Sequence, residues 1–124
     1  MAEATLELGL RAYLADTTYA IVRPDVDLQQ LVETHGSVVR VRQSGGVEQR
    51  WQTVARIVVE TYASTYTRAW NDADEISARL LASPYRAGGW LIDRAASESA
   101  NAEQAHPNLR VVAGVLRVTT RHRV

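Results

Sequence analysis

A chain of 124 residues is long enough for one domain with one core, and an apolar share of 46% is too high for disorder. No apolar run approaches the ~20 residues that a membrane span needs, and the N-terminus MAEATLELGLRAYL has neither a basic n-region nor a continuous apolar h-region. The expectation is therefore a soluble protein made in a cytoplasm, with no membrane partner. Cysteine is absent, which excludes disulfides, thiolate metal sites and cysteine nucleophiles. The formal net charge of zero argues against a domain devoted to gripping nucleic acid, since the phosphate backbone demands an excess of positive charge.

Every basic side chain apart from the histidines is arginine, and phenylalanine is absent as well as lysine. A high-GC genome accounts for that bias. Planar guanidinium forks also suit subunit interfaces better than ammonium groups do, and the two explanations are compatible.

The first element is a helix within Glu3 to Leu14, where Leu6, Leu10, Tyr13 and Leu14 form one stripe at helical spacing. Gly9 weakens it by about 1 kcal/mol relative to alanine. Tyr19 to Val22 suits a short extended stretch, and Arg23 is held out of the helical region by Pro24. Asp27 then caps a short helix, Leu28 to Thr34, which Gly36 ends.

Ser37 to Gln43 alternates as a half-buried strand, with Val39 and Val41 on one side and Val38, Arg40 and Arg42 on the other. Ser44, Gly45 and Gly46 signal a turn, and Thr53 to Ala63 is the clearest strand of the chain. The pair reads as an antiparallel hairpin. Ser64 is placed to cap a helix that runs to about Ala82, striped by Tyr66, Ala69, Trp70, Ala73, Ile76, Leu80 and Leu81 and ended by Pro84. The stripe puts Trp70 in the core. Gly88 and Gly89 lead into a strand over 90–96. Residues 97–108 are polar and read as a mobile loop. Leu109 to about Arg121 is the last strand.

The fold class expected from this order is α+β: a mainly antiparallel four-stranded sheet with one long helix packed on it and an N-terminal helix.

No constellation for chemistry emerges. His35, His106 and His122 lack neighbours at metal-ligand spacing, and no nucleophile elbow, P-loop or dinucleotide fingerprint occurs. Asp72, Asp74 and Glu75 read as a solvated helix face. The expectation is no catalytic residue, no metal and no cofactor. Trp51, beside Arg50, is either a core residue or an interface anchor. From Pro107 onward the chain has four arginines, Arg110, Arg117, Arg121 and Arg123, and no acid.

The pieces VVRVRQSGG at 38–46, IVVETYAST at 57–65, AWNDADEISARLLAS at 69–83, GGWLIDR at 88–94 and RVVAGVLRVTTRHR at 110–123 follow one another in a familiar order. In pattern and order the chain resembles the tail terminator (tail-completion) proteins of long-tailed bacteriophages, especially those of high-GC actinobacteria. The resemblance spans most of the chain. It implies a small α+β virion protein of the tail or neck that forms a six-fold homo-oligomeric ring. Its partners would be the tail tube protein and a connector or stopper protein of the head, and genomic DNA would pass through the lumen without sequence-specific binding.

Within such a ring, Arg40, Arg42, Arg117, Arg121 and Arg123 are expected to contact neighbouring subunits or the tube, with Asp72, Asp74 and Glu75 of the adjacent subunit as acidic partners. Trp51 is a further candidate. The competing expectations are another neck component, such as a head-completion adaptor, stopper or tail-joining protein; a small enzymatic or ligand-binding α+β domain; and a nucleic-acid-binding fold using the last strand's arginines.

Overall fold

The computed structural model describes residues 5–16, 18–22, 27–48, 52–106 and 109–121. In chain order these form α1 (Leu6–Leu14), β1 (Tyr19–Ile21), α2 (Leu28–His35), β2 (Ser37–Glu48), β3 (Thr53–Ala63), α3 (Tyr66–Leu81), β4 (Tyr85–Ala87), β5 (Trp90–His106) and β6 (Leu109–Arg121).

The expected four-stranded antiparallel sheet is wrong. The strands form one six-stranded mixed sheet in the order β1-β2-β3-β6-β5-β4, with β1 parallel to β2 and every other pair antiparallel. The two extra strands are three residues each, too short to show an alternation. Among the described residues three helices pack on the sheet, the short helix read after Asp27 being the one that the expected fold class left out. The sheet curls, because α1 lies against β2 and β1 on one side and against β4 on the other.

Two features read as non-strand are strand. The triplet Ser44-Gly45-Gly46 does not reverse the chain. It forms an irregularity between Gln43 and Gly45 within a strand that runs on to Glu48. Glycine belongs at this bulge: a side chain on Gly46 (φ +155°) would meet the Val54 carbonyl oxygen at 2.6 Å. The segment read as a loop is, through His106, the continuation of β5, paired with β6 along its length. Its polar composition follows from position: β4 covers only Tyr85–Ala87 opposite Trp90–Ile92, and residues 96–102 of β5 are exposed on both faces.

The helices are capped by their own sequence. The hydroxyl of Thr5 accepts from Leu8 N at 3.2 Å, Asp27 Oδ1 from Gln30 N at 3.1 Å, and Thr65, one residue beyond the expected Ser64, from Arg68 N at 3.2 Å. Gly9 has a packing reason. A Cβ there would come within 2.5 Å of the Ala87 carbonyl oxygen, so α1 reaches β4 only because it carries no side chain at that point.

Alternation divides the strands into two faces. Val39, Val41, Ala55, Ile57, Val59, Leu116, Val118 and Ile92 meet Leu6, Leu10 and Leu14 of α1 and Ile76 and Leu80 of α3. On the opposite face α2 covers only one end, where Val32, Leu28 and Leu31 pack on Ile21, Val38, Tyr62, Leu109 and Val111. The rest of that second face carries the arginines.

Candidate functional site

The hydrogen-bond register of β2, β3, β6 and β5 places the arginines of the open face. Arg40 lies opposite Glu60 across β2 and β3, and both Arg40 and Arg42 reach Glu60 Oε1 at 3.4 Å. The Tyr62 hydroxyl donates to the other oxygen of Glu60 at 3.2 Å. Burial, with the charge of Glu60 adding to it, pushes the Tyr62 phenol up to about 12.

Arg56 lies directly opposite Arg117, a like-charge pair that by itself destabilises a sheet. The conflict is resolved by Glu98 of β5, which holds Arg56 at 3.2 Å through one oxygen and Arg117 at 3.1 Å through the other. Glu98 occupies the irregularity between Ser97 and Ser99, and Asp93 occupies the one between Ile92 and Arg94. The extra residue at each bulge puts a carboxylate on the arginine face. From there Asp93 meets Arg121 at 2.6 Å.

Arg40, Arg42, Arg117 and Arg121 therefore have partners within their own chain. The last strand's basic residues looked unpartnered in the sequence because their acids lie 19 to 28 residues away on another strand. Among the side chains described on this part of the sheet, Arg40, Arg42, Arg56, Arg117 and Arg121 outnumber Glu60, Asp93 and Glu98. Arg40 also retains a buried Nε without a hydrogen-bond partner.

The helix carboxylates lie on the other side of the sheet. Asp72 pairs with Arg68 of the same helix at 3.1 Å, while Asp74 and Glu75 are exposed. The acidic and basic sets face away from each other within one copy. Trp51 and Arg123 lie outside the described residues.

Position in α3 separates two flanks. Arg68, Asp72 and Glu75 line a cavity of about 190 Å³ with Thr18, Tyr19, His35 and Ser37. His35 stacks on Tyr19 at 4.0 Å. Farther along this flank, Arg79 pairs with Asp16 at 2.8 Å and donates to the Tyr13 carbonyl at 3.1 Å. The hydrogen bond from Arg79 holds the Asp16 carboxyl below its usual value.

On the opposite flank stand Tyr66 and Trp70, 41% and 37% exposed. Sequence periodicity counted both into the core stripe. Of that stripe Ala69, Ile76 and Leu80 are buried, while Tyr66 and Trp70 fall on its exposed edge. The guanidinium of Arg110 sits over the Tyr66 ring at 5.2 Å. The other large exposed apolar side chains among the described residues are Leu8 and Tyr19. They line a groove of about 390 Å³ between α1 and β1 with Arg11, Ala12, Ala15, Thr18 and Ala20. None of these four was singled out as a surface residue by the sequence. No group of three His, Asp or Glu side chains able to hold a metal ion occurs among the described residues.

At the level of sequence, no protein family and no curated protein matches the chain. Its fold does occur in solved structures. A chain in the structure titled "Virion of native gene transfer agent (GTA) particle" superposes with a TM-score of 0.60, covering 89% of this chain and 83% of that one at 16% sequence identity. At that identity the likeness is one of fold.

Proposed function

We propose that this protein is a structural subunit of a phage-like virion with no catalytic role, and that it works as a tail terminator. In this reading it forms a ring, a hexamer by the resemblance, on the end of the tail tube. The ring stops tube polymerisation and offers its other surface to the connector or stopper protein of the head. The observation that carries the reading is the shared fold with a virion chain across 89% of the protein.

The physical properties suit such a place. A ring is a closed heterologous assembly in which one patch meets a different one. This molecule has distinct surfaces to offer: an open face rich in arginine, a helix layer bearing Asp74 and Glu75, and two apolar patches on different sides. Overall neutrality keeps non-specific attraction for passing DNA weak.

The test is deletion of the gene from the particle that encodes it, followed by electron microscopy of the assembled products. Over-long tails detached from heads are expected, with rescue by the gene supplied in trans. Normal-length free tails together with filled heads would favour a head-side neck protein. Intact particles would rule out the virion role.

A further inference from the structure

We propose that copies of this chain join head to tail by seating Trp70 of one copy in the α1–β1 groove of the next, with Asp74 of the first copy beside Arg11 of the second. The inference deepens the ring reading and rests on it.

The four large apolar side chains exposed among the described residues, Leu8, Tyr19, Tyr66 and Trp70, are 37–45% exposed and divide into two pairs. Tyr66 and Trp70, one turn apart, form a ridge. Leu8 and Tyr19 line a groove together with the small side chains of Ala12, Ala15 and Ala20. Small residues between two larger ones leave room for a ring, and a ridge facing a groove is the shape relation that buries both. Tryptophan is the side chain that most often anchors such contacts.

Within one copy the pairs cannot meet. Tyr19 lies on the Arg68, Asp72 and Glu75 flank of α3, where it lines the shared cavity, and Trp70 lies on the opposite flank. Head-to-tail contacts bury both patches, one against the other in successive copies, and close into a ring when the rotation allows.

Charge adds direction. Arg11 lines the groove and is exposed, with its Nε donating to the Ala20 carbonyl at 2.9 Å. Asp74 follows Trp70 by one helical turn and is exposed. Ridge into groove therefore brings an acid to a base. Side chains also cap the strand edges near the groove. Besides Arg11 on Ala20, the Glu7 carboxylate accepts from Gln43 N at 2.7 Å. With those backbone groups occupied, the contact runs through side chains instead of added strand pairing.

The absence of cysteine makes the test clean. The double variant Arg11→Cys/Asp74→Cys, oxidised in solution, should give a ladder of covalent multimers on a non-reducing gel, while each single variant stops at a dimer. A double variant that also stops at monomer or dimer overturns the proposal. Trp70→Glu should leave the circular dichroism unchanged and weaken association roughly 30-fold or more by sedimentation; unchanged association overturns it too. Rings of the wild-type chain seen by electron microscopy with no ladder would discard this contact and leave the ring reading in place. A wild-type chain that forms no ring and is absent from tail ends would discard the reading itself.

Discussion

Alternate residues of the same strands build two unlike surfaces. On β3, Ala55, Ile57, Val59 and Thr61 face the helix layer and are buried, while Arg56 and Glu60 point to the open side. On the helix side, close packing leaves little room for change. On the open side, carboxylates set among arginines hold the surface together, and α2 shields only the end near Tyr62. The difference teaches that stability and surface chemistry are separated by strand parity here, so each can be altered with little effect on the other.

The largest effect expected from breaking this division is on the helix side. Ile57 is fully buried between β2, β6 and the helices, and Ile57→Ala should cost about 3–4 kcal/mol in denaturant unfolding. A loss near 1 kcal/mol would mean that the curled sheet collapses onto the cavity.

Next comes Tyr62, where the open face meets α2. Its folded-state value is raised from 10.0 to about 12. A phenol raised on folding disfavours ionisation in the native state. Its contribution is intact below pH 10 and is lost as pH climbs from 10 towards 12, on the order of 2 kcal/mol at the upper end. Alkaline unfolding followed with the tyrosinate absorbance should show this loss, and Tyr62→Phe should flatten it. A Phe variant with the same alkaline slope would place the titration elsewhere.

Smaller still is the effect of Glu98→Gln, which strips the bridge between Arg56 and Arg117. Because the three side chains are partly exposed, the expected loss is about 1 kcal/mol and it should shrink in high salt. Salt-independent loss would mean that Glu98 acts through the bulge geometry and not through charge.

The smallest change tests a buried polar group on the helix side. Thr61 is fully buried and its hydroxyl has no hydrogen-bond partner. Thr61→Val should be neutral or stabilise by up to about 1 kcal/mol in thermal unfolding. Clear destabilisation would show that the hydroxyl is satisfied in solution.

Local signals were legible wherever a residue's neighbours in the chain are also its neighbours in space. The alternation of Thr53 to Ala63, the Asp27 cap, the Gly36 stop and the α1 stripe all belong to that class, because each depends on backbone geometry over a few residues. The polar run after Ser97 was not legible as strand: its alternation is erased where neither face is covered. Likewise the stripe of α3 was one position too wide. Periodicity could not tell which of Ala69 and Trp70 would face the sheet, and the close approach of helix to strand selected the alanine.

Composition and periodicity by themselves determined that this is a cysteine-free, neutral α+β chain with a central hairpin, a long amphipathic helix and a basic last strand, since those properties are local or additive. Tertiary structure alone decided which carboxylate each arginine meets, that two strand irregularities carry Asp93 and Glu98 onto the arginine face, and that Trp70 and the α1–β1 groove look outward on different sides of α3. Those outcomes depend on strand register and on helix rotation. Both are settled by contacts between segments far apart in the chain, and no short window of sequence contains them.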